Sequence, residues 1–190
     1  MRWVGRQGRS VPVWAVISLV AGVVLLMAAL GAGGVFAYRA YRRRVLLRLV
    51  VQAEAIEAAA QALMDTITRL ADASDEDYET FATEPDSSER RALHEITVRA
   101  GIIADELDRM PLLASLQPPA EALADAAFLI ASEAGRVEDS HNGSEAIEHL
   151  SAVDLKVIGG YTSKARAILS TTCDVCGLEE TAVYGGGLYL

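Results

Sequence analysis

Four stretches of the chain place apolar residues at alternating steps of three and four, the spacing at which side chains share one face of an α-helix. The first three stripes are Leu46, Leu49, Ala53, Ile56, Ala60, Leu63, Ile67, Leu70; Leu93, Ile96, Ala100, Ile103, Leu107, Met110; and Ala120, Leu123, Ala127, Ile130, Ala134, Val137. The fourth is Ile147, Leu150, Val153, Val157, Tyr161, Ala165, Ile168. Stripes joined by short connections bury one another best in an up-and-down arrangement. The pattern predicts an all-α fold with an antiparallel four-helix bundle; a coiled coil between chains is the alternative that the same stripes allow.

The segments between the stripes carry helix-ending signals. Residues 72–89 hold eight acidic residues and no basic one, and they interrupt the periodicity, so we expect a solvated connection there. Pro111 stops the second helix, and Pro118 and Pro119 suit the first turn of the third. The turn-like residues 139–144 precede the fourth helix. Gly159 and Gly160 lie within that helix and predict a kink or a close helix crossing.

The chain also contains an apolar run that is long enough to span a bilayer. Residues 11–38 include no charged residue, and as a helix they extend about 42 Å, more than the roughly 30 Å hydrocarbon core of a bilayer. A cleavable signal peptide is the alternative, but its apolar region is usually about 7 to 15 residues. We therefore expect one N-terminal transmembrane helix.

Residues at the two ends of the apolar run fit a membrane interface. Trp14, Tyr38 and Tyr41 have amphipathic rings of the kind enriched there. Three arginines precede the run and five follow it, and the larger positive flank favours the cytoplasmic side. The predicted location is therefore the cell membrane, with the C-terminal domain in the cytoplasm. The arginines predicted at the interface are Arg39, Arg42, Arg43 and Arg44.

Small residues recur four apart within the predicted membrane helix. Such pairs allow two helix backbones to approach closely, which makes a homodimer a candidate assembly. The same residues are also common in membrane helices that do not associate. The pairs are Ser18 with Gly22, Ala28 with Ala32, and Ala29 with Gly33.

The membrane helix is expected to continue into the first helix of the bundle, because no Gly or Pro occurs between Val35 and Ala73. The predicted organisation is a short basic N-terminus, a transmembrane helix, a basic neck, an acidic helical domain and a flexible tail that carries the cysteines. The corresponding ranges are 1–10, 11–38, 39–48, 45–170 and 171–190.

Charge is distributed very unevenly along the chain. The overall formal net charge is −9, yet residues 1–50 hold eight arginines and no acidic residue. Residues 51–190 then hold nine basic and 26 acidic residues, a net charge of −17. Phosphate backbones repel such a domain, so nucleic acid is not an expected partner. A lipid bilayer and a protein partner or second copy are the expected partners.

Candidate chemistry is sparse. Cys173 and Cys176 form the only cysteine pair; a structural zinc ion takes four ligands, so zinc is expected only if two chains share the site. Plain thiols and a redox pair are the other interpretations. The carboxylates of residues 75–79 lack the order of a calcium-binding loop. His149 lies four residues after Glu145, and a metal there would need further ligands.

No residue pattern amounts to a catalytic site, and no catalytic or cofactor-binding residue is predicted. The leading hypothesis is a non-enzymatic, membrane-anchored scaffold or interaction module. A sensory or signalling bundle is the second hypothesis, since a helix that continues from membrane to bundle can transmit a shift. A thiol-redox or dimer-shared metal site at the cysteine pair is the third.

Overall fold

The computed structural model describes residues 13–176, in which all regular secondary structure is helical. The predicted all-α class is confirmed for this range, which contains no strand. A short 3-10 turn, Ala114–Leu116, precedes the fourth helix. The α-helices are α1 (Val13–Ala71), α2 (Asp75–Thr83), α3 (Ser88–Asp108), α4 (Gln117–Glu138), α5 (Gly143–Ala152) and α6 (Leu155–Val175).

The chain divides into two compact units, Met1–Arg42 and Arg43–Leu190. Helix α1 contributes to both, and within residues 13–176 it is the one helix long and apolar enough to cross a membrane. The described apolar side chains of the first unit are exposed instead of packed in a core. They include Val24, Leu25, Leu26, Met27, Leu30, Val35 and Phe36.

The core of the second unit follows the first three predicted stripes. Every residue of the first and third stripes is buried. The second stripe is buried from Leu93 to Leu107, and Met110 packs partly buried at its end. Because these helices bury residues at steps of three and four, each presents one continuous apolar face to its neighbours.

Cross-helix contacts within the second unit define the neighbours of each helix. Gln52 of α1 hydrogen-bonds Glu106 of α3, and further along α1 Thr66 shares a groove with Ile96 of α3, so contacts progress in opposite directions along the two helices. Helix α1 also contacts α6, and α4 contacts both α3 and α6. Each of these four helical segments therefore has two neighbours among the other three.

The predicted fourth helix was wrong, because the structure divides it into α5 and α6. The break lies at Val153 and Asp154, where the Asp154 carboxylate accepts hydrogen bonds from the backbone N–H groups of Lys156 and Val157 and starts a new helix. The restart changes which positions face inward. Of the predicted stripe, Ile147, Val157 and Tyr161 are exposed and Ala165 is buried as predicted; the other buried apolar positions are Ala146, Ile158, Leu169 and Cys173.

The structure shows no close helix crossing at the two glycines of α6, where the sequence predicted a kink or a close crossing. Gly159 and Gly160 lie inside the continuous helix α6. A Cβ atom added to either residue would have no described heavy atom within 4 Å. The break between helices lies earlier, before Leu155, where the side chain of Asp154 caps the first turn of α6.

The acidic connection contains a helix that the sequence pattern did not predict. Helix α2 begins after Ser74, whose hydroxyl accepts a hydrogen bond from the Asp77 N–H while the Asp77 carboxylate accepts one from the Ser74 N–H. Phe81 and Ala82 are buried, and α2 packs against α5. Two apolar residues in an acidic segment are too few to produce a periodic stripe.

The final helix extends further than predicted. The sequence placed the start of a flexible tail at residue 171, but α6 continues to Val175. Residues 177–190 of that predicted tail, and the predicted N-terminal segment 1–10, lie outside the described residues.

Candidate functional site

Arginines that follow the apolar run project from α1 without carboxylate partners. Arg39, Arg43, Arg44 and Arg48 are exposed. Of the ion pairs found within residues 13–176, none involves any of these four side chains. Arg44 and Arg48 are four residues apart and so share a helix face, where like charges repel each other. These guanidinium groups are free to bind an external anion.

A groove lies beside Arg48, between the early part of α1 in the second unit and the end of α3. We call it the neck groove. Its volume is about 620 Å³, within the range of about 300 to 1,000 Å³ common for small-molecule sites. Its lining combines apolar side chains with one arginine, one amide and one carboxylate. The lining residues are Leu47, Arg48, Val51, Gln52, Glu106, Met110 and Pro111.

Two features set the chemistry of the neck groove. The Gln52 amide donates a hydrogen bond of 2.8 Å to a Glu106 carboxylate oxygen, which partly satisfies the one acidic group in the lining. Val51 is 62% exposed, so an apolar wall of the groove faces solvent. The groove therefore suits a ligand with an apolar part and an anionic part.

A second groove, between α1 and α3, has an alanine floor. Ala58, Ala59, Ala62 and Ala92 are small, and this leaves a space of about 310 Å³ between the helices. Charged side chains border it, including Asp65, Arg69, Glu95 and Arg99. Because acidic and basic side chains both border this groove, it favours neither an anionic nor a cationic ligand.

Of the residues predicted to act within or beside a membrane, Arg43 and Arg44 belong to the second unit and the others to the first. Apart from Arg42, those whose side chains are described are exposed. Trp14 is in the first turns of α1, and its side chain is outside the described structure. Tyr38 and Tyr41 are exposed, and Arg42 is half-buried. Ser18, Ala28, Ala29 and Ala32 are also exposed, and a Cβ added to Gly22 or Gly33 would have no described heavy atom within 4 Å.

The two cysteines have different environments. Cys173 is 1% exposed and packs in the core of the second unit, whereas Cys176 is half-buried at the end of α6. Neither sulfur forms a disulfide bond. Within residues 13–176 no cluster of three or more His, Cys, Asp or Glu residues is arranged to hold a metal ion. A buried thiol such as Cys173 behaves as a small apolar side chain.

A serine–histidine pair that the sequence did not reveal joins the end of α4 to α5. The Ser140 hydroxyl is 3.0 Å from Nδ1 of His149 and donates a 2.8 Å hydrogen bond to the Val137 carbonyl. Because the hydroxyl hydrogen is directed to that carbonyl, the serine oxygen can still accept a hydrogen bond from an Nδ1-protonated His149. Ser140 is completely buried. A buried hydroxyl that donates a hydrogen bond to a backbone carbonyl is a structural link and not an accessible nucleophile.

The other candidate acids and histidines are engaged in local structure. Asp77 caps α2, and its hydrogen bonds from the side chain and backbone of Ser74 lower its pKa. Glu79 accepts from the Gly143 N–H at 3.2 Å and so ties α2 to α5. Glu145 accepts from the His141 N–H instead of approaching His149. These carboxylates do not converge on a common point.

Two side-chain contacts join residues of different helices that are far apart in the sequence. His94 of α3 lies 2.7 Å from Glu138 of α4, and Arg166 of α6 forms a two-pronged hydrogen bond with Glu57 of α1. Sequence spacing contains no signal for such pairs, because the partners meet only after the helices pack.

Comparison with protein-family models, with curated proteins and with solved structures finds no significant match to this chain.

Proposed function

We propose that the chain is a single-pass membrane protein in which a helical domain, built as an antiparallel four-helix bundle, is held at the bilayer as a non-enzymatic scaffold or interaction module. The observation that carries this proposal is the exposed apolar surface of α1. Leu25, Leu26, Met27 and Leu30 are each more than 60% exposed. A row of such residues is unfavourable in water and favourable in lipid, where each apolar side chain contributes to insertion.

Anchoring, and not removal as a signal peptide, is supported by the extent of the helix. The uncharged run is longer than a typical signal segment, and α1 continues without interruption to Ala71. The exposed Tyr38 and the arginines after it fit the boundary between lipid and water. The excess of arginine on this side favours a cytoplasmic domain.

The bundle itself is supported by the neighbour relations of the second unit. Contacts join α1 to α3, α3 to α4, α4 to α6 and α6 to α1. Along α1 and α6 the paired residues are Glu57 with Arg166, and Leu169 lies in a pocket with Val50 and Ala53, so these helices also progress in opposite directions. Four mutually packed, alternating helices form the bundle arrangement.

An interaction role is supported by apolar side chains that the domain leaves exposed. Phe128 of α4 is 69% exposed, and Val98 and Ile102 of α3 are also open to solvent. Large apolar side chains, aromatic ones above all, are enriched in protein interfaces. The scaffold function rests on these residues.

A signalling role is the second candidate, and the continuity of α1 favours it. The helix has 59 residues and includes both the apolar run and the first stripe of the core. A displacement of a helix against its neighbours is one established way to transmit a signal. Two discrete packings of the domain, detected by spectroscopy in the presence and absence of a stimulus, distinguish signalling from a passive scaffold.

The cysteine pair provides the third candidate, a thiol-redox or dimer-shared metal site. Cys176 is partly accessible, but Cys173 must leave the core before both sulfurs can meet a partner or a shared zinc ion. Metal analysis of purified protein and thiol titration test this role directly.

Membrane fractionation tests the anchoring part of the proposal. Full-length protein is expected to stay in the membrane pellet after alkaline carbonate extraction, with an intact N-terminus. Orientation follows from labelling a cysteine placed at the exposed Ser163 in a Cys176→Ser background. Reaction with a membrane-impermeant maleimide only after permeabilisation supports a cytoplasmic domain. Recovery of the protein in the soluble fraction contradicts the whole proposal.

Partner capture tests the scaffold part. Ile102→Glu with Phe128→Glu is expected to abolish specific co-purification of partner proteins from solubilised membranes. Ser132→Glu, an exposed change on the same helix as Phe128, serves as the matched control. Equal recovery of the same proteins with all three forms contradicts a role for this surface.

A further inference from the structure

We infer that Asn142 is a site of spontaneous deamidation, and that the docking of helix α2 on α5 controls the rate of this reaction. Asn142 is the single asparagine of the chain, and Gly143 follows it directly. An asparagine before glycine is especially prone to deamidation, because glycine has no side chain to obstruct attack by its own backbone nitrogen. The inference does not depend on the membrane anchoring proposed above.

The reaction needs no co-reactant except water. The Gly143 backbone nitrogen loses its proton to solvent and attacks Cγ of the Asn142 side chain. A new C–N bond closes a five-membered succinimide ring, while the bond to the side-chain nitrogen breaks and that nitrogen takes up a proton and leaves as ammonia. Water then opens the ring at either of its two carbonyl groups and produces aspartate or isoaspartate. The net reaction consumes one water molecule and releases one ammonia molecule.

In the folded structure, hydrogen bonds engage both reacting groups. The side-chain oxygen of Asn142 accepts a hydrogen bond of 2.9 Å from the Glu145 N–H, which holds the amide at the start of α5. The Gly143 N–H donates to Oε1 of Glu79, with 3.2 Å between nitrogen and oxygen. An ionised carboxylate at this position opposes loss of the amide proton, because a second negative charge would form beside it. The folded state therefore suppresses the reaction.

Packing against α2 restrains the same site. Gly143 is buried, although Asn142 beside it is exposed. A Cβ atom at Gly143 would lie 2.9 Å from Oε1 of Glu79, so α2 approaches this residue closely. Ring closure must also rotate the Asn142 backbone away from its extended ψ of 163°. That rotation moves Gly143, which is held in place while α2 is docked.

Helix α2 is the element whose detachment releases the site. It has nine residues, fewer than the roughly 12 to 15 below which an isolated helix is only marginally stable in water. Its described buried side chains are Phe81 and Ala82. Local opening of such a small element costs less free energy than global unfolding. The rate of deamidation therefore follows the population of molecules in which α2 has left α5.

The isoaspartate product makes the detachment permanent. In isoaspartate the main chain runs through the former side chain, so one methylene group is added to the backbone before Gly143. The addition displaces the Gly143 N–H from Glu79 and the residue 142 carbonyl from the Ala146 N–H, with which it forms a 3.0 Å hydrogen bond before modification. Deamidation thus converts a transient opening of α2 into an irreversible one.

Peptide mass spectrometry of aged protein tests the inference. Full-length protein is incubated in detergent at neutral pH, and the mass gain of the peptide that contains Asn142 is followed with time. Glu79→Ala removes the acceptor of the Gly143 N–H and is expected to deamidate about fivefold faster than the unmodified protein, the equivalent of about 1 kcal/mol. Glu148→Ala removes an exposed carboxylate of α5 and should leave the rate unchanged.

Two further variants separate the site from its control. Asn142→Ser keeps a capping oxygen but removes the reactive amide, so its peptide should gain no mass. Phe81→Ala weakens the docking of α2 at a residue outside the reacting pair and should accelerate deamidation as Glu79→Ala does. Equal rates in the unmodified protein, Glu79→Ala and Phe81→Ala would overturn control by α2. The site itself would be wrong if Asn142 did not deamidate in protein unfolded with guanidinium chloride.

Hydrogen exchange distinguishes detachment of α2 from global unfolding. In Glu79→Ala the amides of α2 should exchange faster, while the amide of the buried Ile130 in α4 keeps its unmodified rate. Faster exchange at both places would assign the faster deamidation to global unfolding, against the inference. Molecules that carry isoaspartate should show the same loss of protection in α2. Unchanged protection there would overturn the irreversible step.

Discussion

Arg166 of α6 donates hydrogen bonds from Nε and from a terminal nitrogen to the two carboxylate oxygens of Glu57 on α1, with 2.7 Å between Nε and Oε1. The residues are 109 positions apart in the sequence. The side-chain hydrogen bond to Glu57 raises the pKa of Arg166, although slight burial opposes the shift. This pair connects the first and last helices of the domain.

A double-mutant cycle on this pair is expected to give a small but measurable coupling. Arg166 and Glu57 are 47% and 30% exposed, so solvent screens much of their attraction. We expect about 0.5 to 1 kcal/mol of coupling between Glu57→Gln and Arg166→Gln, near the upper end for exposed pairs because the geometry is two-pronged. Urea unfolding of the full-length protein in detergent, followed by circular dichroism, measures it. Additive effects of the two substitutions contradict the prediction.

Two glycine substitutions are expected to have opposite effects on stability. A Cβ at Gly143 would lie 2.9 Å from Oε1 and 3.2 Å from the backbone nitrogen of Glu79. Gly143→Ala is therefore expected to lower the free energy of unfolding by about 1 to 3 kcal/mol. Gly160→Ala, in open space within α6, is expected to raise it by about 0.5 to 1 kcal/mol. Thermal unfolding of both variants measures the difference. A change of the same sign in the melting temperature of both variants would contradict the prediction.

The cysteines are expected to differ in reactivity and in their contribution to stability. In the folded protein only Cys176 should react quickly with a thiol reagent, and in urea both should react. Cys173→Ser places a hydroxyl in the core and is expected to destabilise the fold by about 1 to 3 kcal/mol. Cys176→Ser should change stability by less than about 0.5 kcal/mol. Rapid labelling of both thiols without denaturant contradicts the observed burial.

Helix α2 is expected to loosen in acid. The pKa of Asp77 is lowered in the folded state, so its contribution is complete above the unfolded-state value near pH 4 and is lost as pH falls through the lowered folded value. The protection factors of the Ser74 and Asp77 amides, measured against their intrinsic exchange rates at each pH, should therefore fall below about pH 4. Asp77→Ala should show low protection factors at neutral pH and little further change in acid. Identical pH profiles in the two proteins would contradict the capping role.

Charges placed in the middle of the apolar run are expected to abolish anchoring. Leu25→Arg and Leu26→Arg each oppose insertion by about 2.5 to 3.5 kcal/mol at a helix centre. The double variant should move from the carbonate-resistant pellet to the soluble or aggregated fraction. Val98→Arg, at an exposed position of the domain, is the control and should remain anchored. Anchoring that survives the double substitution would require another membrane contact.

The sequence was sufficient for the helical class and for most of the core. Three stripes, such as the one from Leu46 to Leu70, were buried as predicted because helical periodicity is a local property that the order of residues specifies directly. The sequence also predicted the apolar composition of α1 and its continuation from the apolar run into the domain. The end of α3 before Pro111 followed from the chemistry of proline.

Other features depended on contacts between segments distant in the chain, and only the tertiary structure decided them. Helix α2 exists because Phe81 enters the core and Glu79 bonds Gly143, and neither contact leaves a periodic signal in an acidic segment. The helix break at Asp154 changed which face of α6 is buried. A stripe drawn through both helices as if they were one could not predict that change. The neck groove likewise arises only when α1 and α3 pack. Local periodicity specifies which residues form a helix, whereas the free energy of packing decides which helices meet and what they leave open.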